Sequence, residues 1–94
     1  MTDLNKLAED SYNSAFRRNP NQYSWRAIEK IYEELHELED AVLNEKESTH
    51  CPELTATEEE VADIIFACLV FTKCENIDIE KALRIKNEFN KIRV

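Results

Sequence analysis

The chain has no glycine and only two prolines in 94 residues. The tight turns that join hairpin strands favour glycine at their positive-φ positions, so the sequence argues against hairpins and for helices. It has no apolar run near the ~18 residues of a membrane span and no signal-peptide pattern at its start. A cytoplasmic protein with no membrane association is therefore expected. Basic residues are also scarce, at 12 against 20 acidic, for a net charge of −8. That balance excludes a general nucleic-acid binder, which needs a basic face to displace counterions. An acidic protein acting on phosphates needs a cation as intermediary. Cysteine is limited to Cys51, Cys68 and Cys74. Their spacing is not that of a zinc site, and the odd count fits a reduced compartment better than a disulfide framework.

What is present is a 43% hydrophobic fraction patterned for helices. The length implies one domain over residues 1–94. A chain this short buries only about 60–65% of its unfolded surface, so oligomerisation is a natural way to add core. The expected fold class is all-α, a four-to-five-helix bundle protomer whose helices pack across an oligomer interface. The first helix is expected over Asp3–Arg18 with Thr2 as N-cap, carrying Leu4, Leu7, Ala8, Tyr12, Ala15 and Phe16 at helical spacing. The second opens at Ser24 as N-cap and runs to about Asn44–Glu47, with Ile28, Ile31, Leu35, Leu38 and Val42 as its apolar stripe. Residues 45–56 lack periodicity and read as a loop, either a substrate-covering element or a plain surface connection. The third helix begins near Thr57, where both Thr55-Ala56-Thr57-Glu58 and Thr57-Glu58-Glu59-Glu60 have capping-box form. Asn76 suits a left-handed cap, and Asp78 opens a fourth helix ending near Ile92.

Two acidic segments stand out. Glu33-Glu34-Leu35-His36-Glu37 and Glu60-Val61-Ala62-Asp63 each place carboxylates three residues apart on one helical face, roughly 5–6 Å apart at Cβ. Glu34 and Glu37 border the apolar stripe beside Ala41, with Lys30 one turn earlier on the same side. Glu60 alone could be a capping residue. Asp63 is harder to dismiss, because every other residue from Val61 to Phe71 is apolar. An isolated charge buried there is prohibitively expensive, so Asp63 must pair with a base, bind a metal or sit in a wet cleft. A helix apolar all round is expected to be buried on all sides, which in so small a chain requires a partner as well as its own core. Oxygen ligands without thiolates or convergent imidazoles suit Mg²⁺, with Mn²⁺ as substitute. Such a site can activate water and neutralise charge on a phosphoryl group. Glu33-x-x-His36 matches half of a di-iron bundle motif, but that architecture needs the motif twice. His36 points to a different face from Glu34 and Glu37.

Glu33-Glu34-x-x-Glu37, followed after 22 residues by Glu60-x-x-Asp63, resembles the EExxE…ExxD signature of the all-α nucleoside triphosphate pyrophosphohydrolases, the MazG-like superfamily. Lys30, Leu38, Ala41 and the apolar run after Asp63 agree with it, and the likeness spans about Trp25 to Arg93. The resemblance implies Mg²⁺-dependent hydrolysis of a nucleoside triphosphate to the monophosphate and pyrophosphate by a homodimer or homotetramer. By position, Glu34, Glu37, Glu60 and Asp63 would be metal ligands, and Glu33 with Glu34 would serve catalysis, Glu33 by supporting a metal ligand or by orienting the attacking water. Lys30, Lys86 and Asn87 would contact substrate, although members often show Asn-x-Lys-Phe where this chain reads Asn87-Glu88-Phe89. Trp25, Tyr23 and Tyr32 can stack on a nucleobase, but aromatic residues at helix starts more often belong to a core. The alternative is a non-catalytic helical protein-interaction module that docks a partner through the apolar third helix.

Overall fold

The helical periodicity is realised as four helices, α1 (Leu4–Arg18), α2 (Ser24–Asn44), α3 (Ala56–Cys74) and α4 (Ile79–Ile92). The computed structural model describes residues 3–44 and 50–93, and among these the fold is all-α. The expected extension of α2 past Asn44 and residues 45–49 of the candidate covering loop lie outside the described residues.

Local side-chain chemistry sets the helix ends, in two places differently from expectation. Thr2 lies outside the described residues. Asp3 is the N-cap of α1, its carboxylate accepting from the Lys6 amide at 3.1 Å. An aspartate caps better than a threonine. Ser24 is not a cap but the first residue of α2. The first backbone bond of α2 runs from the Ala27 amide to the Tyr23 carbonyl at 3.1 Å. The Ser24 hydroxyl donates instead to Glu75, which ties the start of α2 to the end of α3. At α3 the earlier of the two capping boxes forms. Thr55 Oγ1 accepts from the Glu58 amide at 3.1 Å, and Glu58 Oε1 accepts from the Thr55 amide at 2.9 Å. The helix leaves through Asn76, whose φ of 55° is left-handed, while the Ile77 amide returns to the Thr72 carbonyl at 2.9 Å. Asp78 caps α4 through the Lys81 amide at 3.1 Å.

Helices α2 and α3 pack antiparallel, with Ser24 meeting Glu75 at one end and Glu37 near Glu60 at the other. The buried residues are mostly small: Ala27 and Ala41 from α2, Ala56 and Ala67 from α3, with Leu69 and Val70 beside them. Helix α1 crosses α3, burying Ala8, and is tied to the start of α4. The Leu4 amide donates to Glu80 Oε1 at 2.7 Å, and Asn5 accepts from the Ile79 amide at 3.1 Å. Beyond that first turn α4 stands clear, and none of its described residues is buried.

Burial of α3 on all sides is not met within one chain. Only α1 and α2 cover it closely, so Val61, Ile65 and Phe66 remain exposed, as do Leu35 and Val42 of the α2 stripe. Tyr23, Trp25 and Tyr32 are likewise exposed rather than core. The Cα radius of gyration is 14.7 Å, against about 12 Å for a compact chain of this length. Among the described residues no helix is long and apolar enough to cross a membrane.

The capping box is testable. Thr55→Ala removes the acceptor for the Glu58 amide and should lower stability by about 1 kcal/mol, read as a lower urea midpoint at unchanged m-value. Ser24→Ala, which removes no cap, should lower the midpoint by less.

Candidate metal centre and adjoining cavity

Because α2 and α3 approach through small side chains, the longer acidic side chains flanking them turn toward one another. Carboxylate oxygens of Glu34, Glu37 and Glu60 lie within 4.8 Å of each other. Glu34 is only 4% exposed. One of its oxygens, Oε1, accepts from Lys30 Nζ at 3.0 Å, and Lys30 also lies 3.7 Å from Glu33 Oε1. The other oxygen, Oε2, is buried without a hydrogen-bond partner, and so is Glu60 Oε2. A buried carboxylate oxygen left without a donor is costly and uncommon. Two of them in one cluster of three acids describe a place arranged for positive charge that one lysine does not fully supply.

The electrostatics point the same way. Burial first, then Glu34 and Glu37 beside it, push the Glu60 carboxyl up to about 7. Burial and the charge of Glu34 raise Glu37. Asp63 is raised by burial and by the charges of Glu34 and Glu59. Burial pulls Lys30 down, but its hydrogen bond to Glu34 and the charges of Glu34, Glu33 and Glu37 outweigh it, and the ammonium is held above its ordinary range.

Asp63 stands outside the group of three and lines a cavity of about 1050 Å³ between α1, α2 and α3. Asp63 thus sits in a cleft, and among the described residues no base forms an ion pair with it. Glu33 and Glu34 open onto the same cavity, as do Glu59 and His50. His50 Nδ1 lies 3.3 Å from a Glu59 oxygen. The run Glu58-Glu59-Glu60 thus divides its work. Glu58 closes the capping box, Glu59 meets His50, and Glu60 joins the carboxylate group. The capping role considered for Glu60 falls to Glu58.

The other expected site residues sit elsewhere. Lys30 lines the cavity, whereas Trp25 is 65% exposed and does not. Lys86 and Asn87 are on α4, which packs on α1, and the Lys86 ammonium lies 4.8 Å from the centre of the Phe89 ring. His36 is exposed beside Glu39 and takes no part in the carboxylate group. Arg18, Arg26 and Glu59 went unremarked in the sequence. The available signal was the spacing Arg26, Lys30, Glu34, one turn apart along α2. Their convergence with α1 depends on a helix crossing that no local pattern encodes. Compared with known proteins, the chain matches no family model, no curated protein and no solved structure.

An all-oxygen donor set with orphaned buried oxygens fits a hard divalent cation of the Mg²⁺ or Mn²⁺ type, which Glu34, Glu37 and Glu60 can hold. The sign of the pH effect follows from Glu60. A carboxyl raised in the folded state contributes stability below its unfolded value, and that contribution is lost as pH rises from about 4.5 through about 7. Ligation needs the deprotonated form. Thermal melts of the metal-free protein should therefore fall relative to Glu60→Gln between pH 5 and 8. Mn²⁺ should raise the wild-type midpoint more at pH 8 than at pH 6, and leave Glu60→Gln nearly unmoved.

Proposed function

We propose that this chain is a Mg²⁺-dependent nucleoside triphosphate pyrophosphohydrolase of MazG-like type, converting a (d)NTP and water to the (d)NMP and pyrophosphate. The observation that carries the reading is the Glu34, Glu37 and Glu60 group, with its buried unpartnered oxygens, beside a cavity large enough for a nucleotide. The spacing Glu33-Glu34-x-x-Glu37 and Glu60-x-x-Asp63 supports it. Glu34, Glu37 and Glu60 would hold the cation, and Asp63, from the cavity lining, would be the fourth carboxylate of the set. When bound, the cation supplies neutralisation of phosphate charge and a more acidic water. Lys30, fixed between Glu33 and Glu34, offers its remaining donor to a phosphate oxygen. Glu33 orients the attacking water. Water adds to the α-phosphorus, the bond from that phosphorus to the α–β bridging oxygen breaks, and pyrophosphate leaves with the bridging oxygen.

The same reading includes self-association. Exposed Val61 and Ile65 on α3, and Ile85, Phe89 and Ile92 on α4, recur at spacings of three and four, as an interface does. Ile92 is 80% exposed. A second copy of the chain covers these faces, giving a homodimer or a pair of dimers. A helical docking module with no catalysis is the competing account, favoured by the same apolar faces. It gives no reason for buried carboxylates with unpartnered oxygens.

Pyrophosphate release from a panel of NTPs and dNTPs with Mg²⁺ decides between them. Asp63→Asn and Glu37→Gln should each lower turnover on the order of 100-fold while the protein stays folded. Folded wild type with Mg²⁺ that consumes no nucleotide overturns the enzyme reading. Light scattering should give at least twice the 11.1 kDa chain mass, reduced to one chain by Ile65→Glu.

A further inference from the structure

The end of the cavity away from the Glu34, Glu37 and Glu60 group carries a charge pattern of its own. Arg18, at the last turn of α1, and Arg26, in the first turns of α2, both line it. Among the described residues neither arginine forms an ion pair. What sets these two apart from the other basic residues without an ion pair is that both line the cavity, in a chain of net charge −8. The face of α1 turned to the cavity is polar as well, with Ser11 and Ser14 leading to Arg18.

Position relates this end to the carboxylate group. Arg26, Lys30 and Glu34 follow one another every four residues on α2, so each step is about 6 Å along the helix axis. An extended triphosphate tail spans about one helical turn, and an arginine side chain reaches inward over a comparable distance. A tail whose α-phosphate lies at the Glu34, Glu37 and Glu60 group, and which runs along α2 past Lys30, therefore ends within reach of the Arg26 guanidinium, with Arg18 lining the same cavity from α1. Guanidinium matches phosphate oxygens in paired hydrogen bonds. The cavity lining holds six carboxylates (Asp10, Glu29, Glu33, Glu34, Glu59 and Asp63) against three fixed cations. A polyanion is therefore welcome only along the line where those cations stand and where a divalent ion is held.

We infer that Arg18 and Arg26 form the subsite for the β- and γ-phosphates of the substrate, and hence for the departing pyrophosphate, selecting triphosphates over shorter nucleotides. This rests on the hydrolase reading for the substrate, but the anion subsite itself can be measured without turnover. The nucleobase then lies on the opposite side of the carboxylate group, toward Glu59 and His50.

The experiment pairs a binding measurement with a kinetic one on wild type, Arg18→Gln, Arg26→Gln and the double variant. Calorimetry with Mg²⁺-pyrophosphate should show affinity falling about tenfold per arginine removed, with partial recovery in Arg26→Lys. KM for a triphosphate should rise by a similar factor while kcat falls less than about threefold, and the Mn²⁺ thermal shift should match wild type. The inference is overturned if pyrophosphate affinity and KM stay within about twofold of wild type, or if the variants change preference among bases with pyrophosphate binding intact. Turnover by the wild type with indifferent arginines sinks the subsite and leaves the hydrolase reading standing. Arginine-dependent pyrophosphate binding without turnover of any nucleotide keeps the anion subsite and removes the reaction.

Discussion

Holding the Glu34 carboxylate out of water is the constraint on which the rest of this structure depends. The side chain is 4% exposed, and carboxylate oxygens of Glu37 and Glu60 lie within 4.8 Å of its own. Lys30 relieves one oxygen and leaves the other without a donor. A cluster built only for stability would replace such groups with apolar side chains of similar volume at little loss or some gain. At the junction of two helices, with a cavity adjoining, this cluster fits the proposed cation site, whose occupant would complete its stability.

The same junction explains why the protomer is open elsewhere. Alanines at the seam of α2 and α3 bring the helices close and leave lateral space for long acidic side chains. They also bury little apolar area. Val61, Ile65 and Phe66 of α3 and the larger side chains of α4 stay exposed, and α4 is held mainly through the bonds from Leu4 and Asn5 at its first turn. A single chain thus has a small interior, mostly of alanine, that takes in Glu34, and it carries much of its apolar surface outside.

Much of this was legible in the sequence. Helix positions follow from periodicity, and the spacing of Glu34 and Glu37 against Glu60 already placed them on facing sides of two helices. Asp63 was conspicuous because its neighbours are all apolar. The cap of α1 was misplaced by one residue because Thr2 and Asp3 both qualify, and aspartate prevailed. Ser24 has the chemistry of a cap but found a stronger partner in Glu75, a residue remote in sequence. Trp25, Tyr23 and Tyr32 look like core by composition. They lie outside because α2 packs through its alanines. For Arg26 the one signal was its spacing with Lys30 and Glu34; the setting of Arg18 is created by the crossing of α1 over α3, and helix crossings are determined by contacts distant along the chain.

Glu58, Glu59 and Glu60 are chemically identical and adjacent, yet they cap a helix, meet a histidine and complete a carboxylate cluster. Only their angular phase separates them, about 100° per residue. Such a segment resists point replacement less by side-chain identity than by register. Exchanging any of the three for another acid changes one local contact. Inserting or deleting one residue there hands each role to a neighbour, and turns Glu60 and Asp63 away from the facing helix together. The site's vulnerability therefore lies in chain length within this turn, a kind of damage that composition and charge would not reveal.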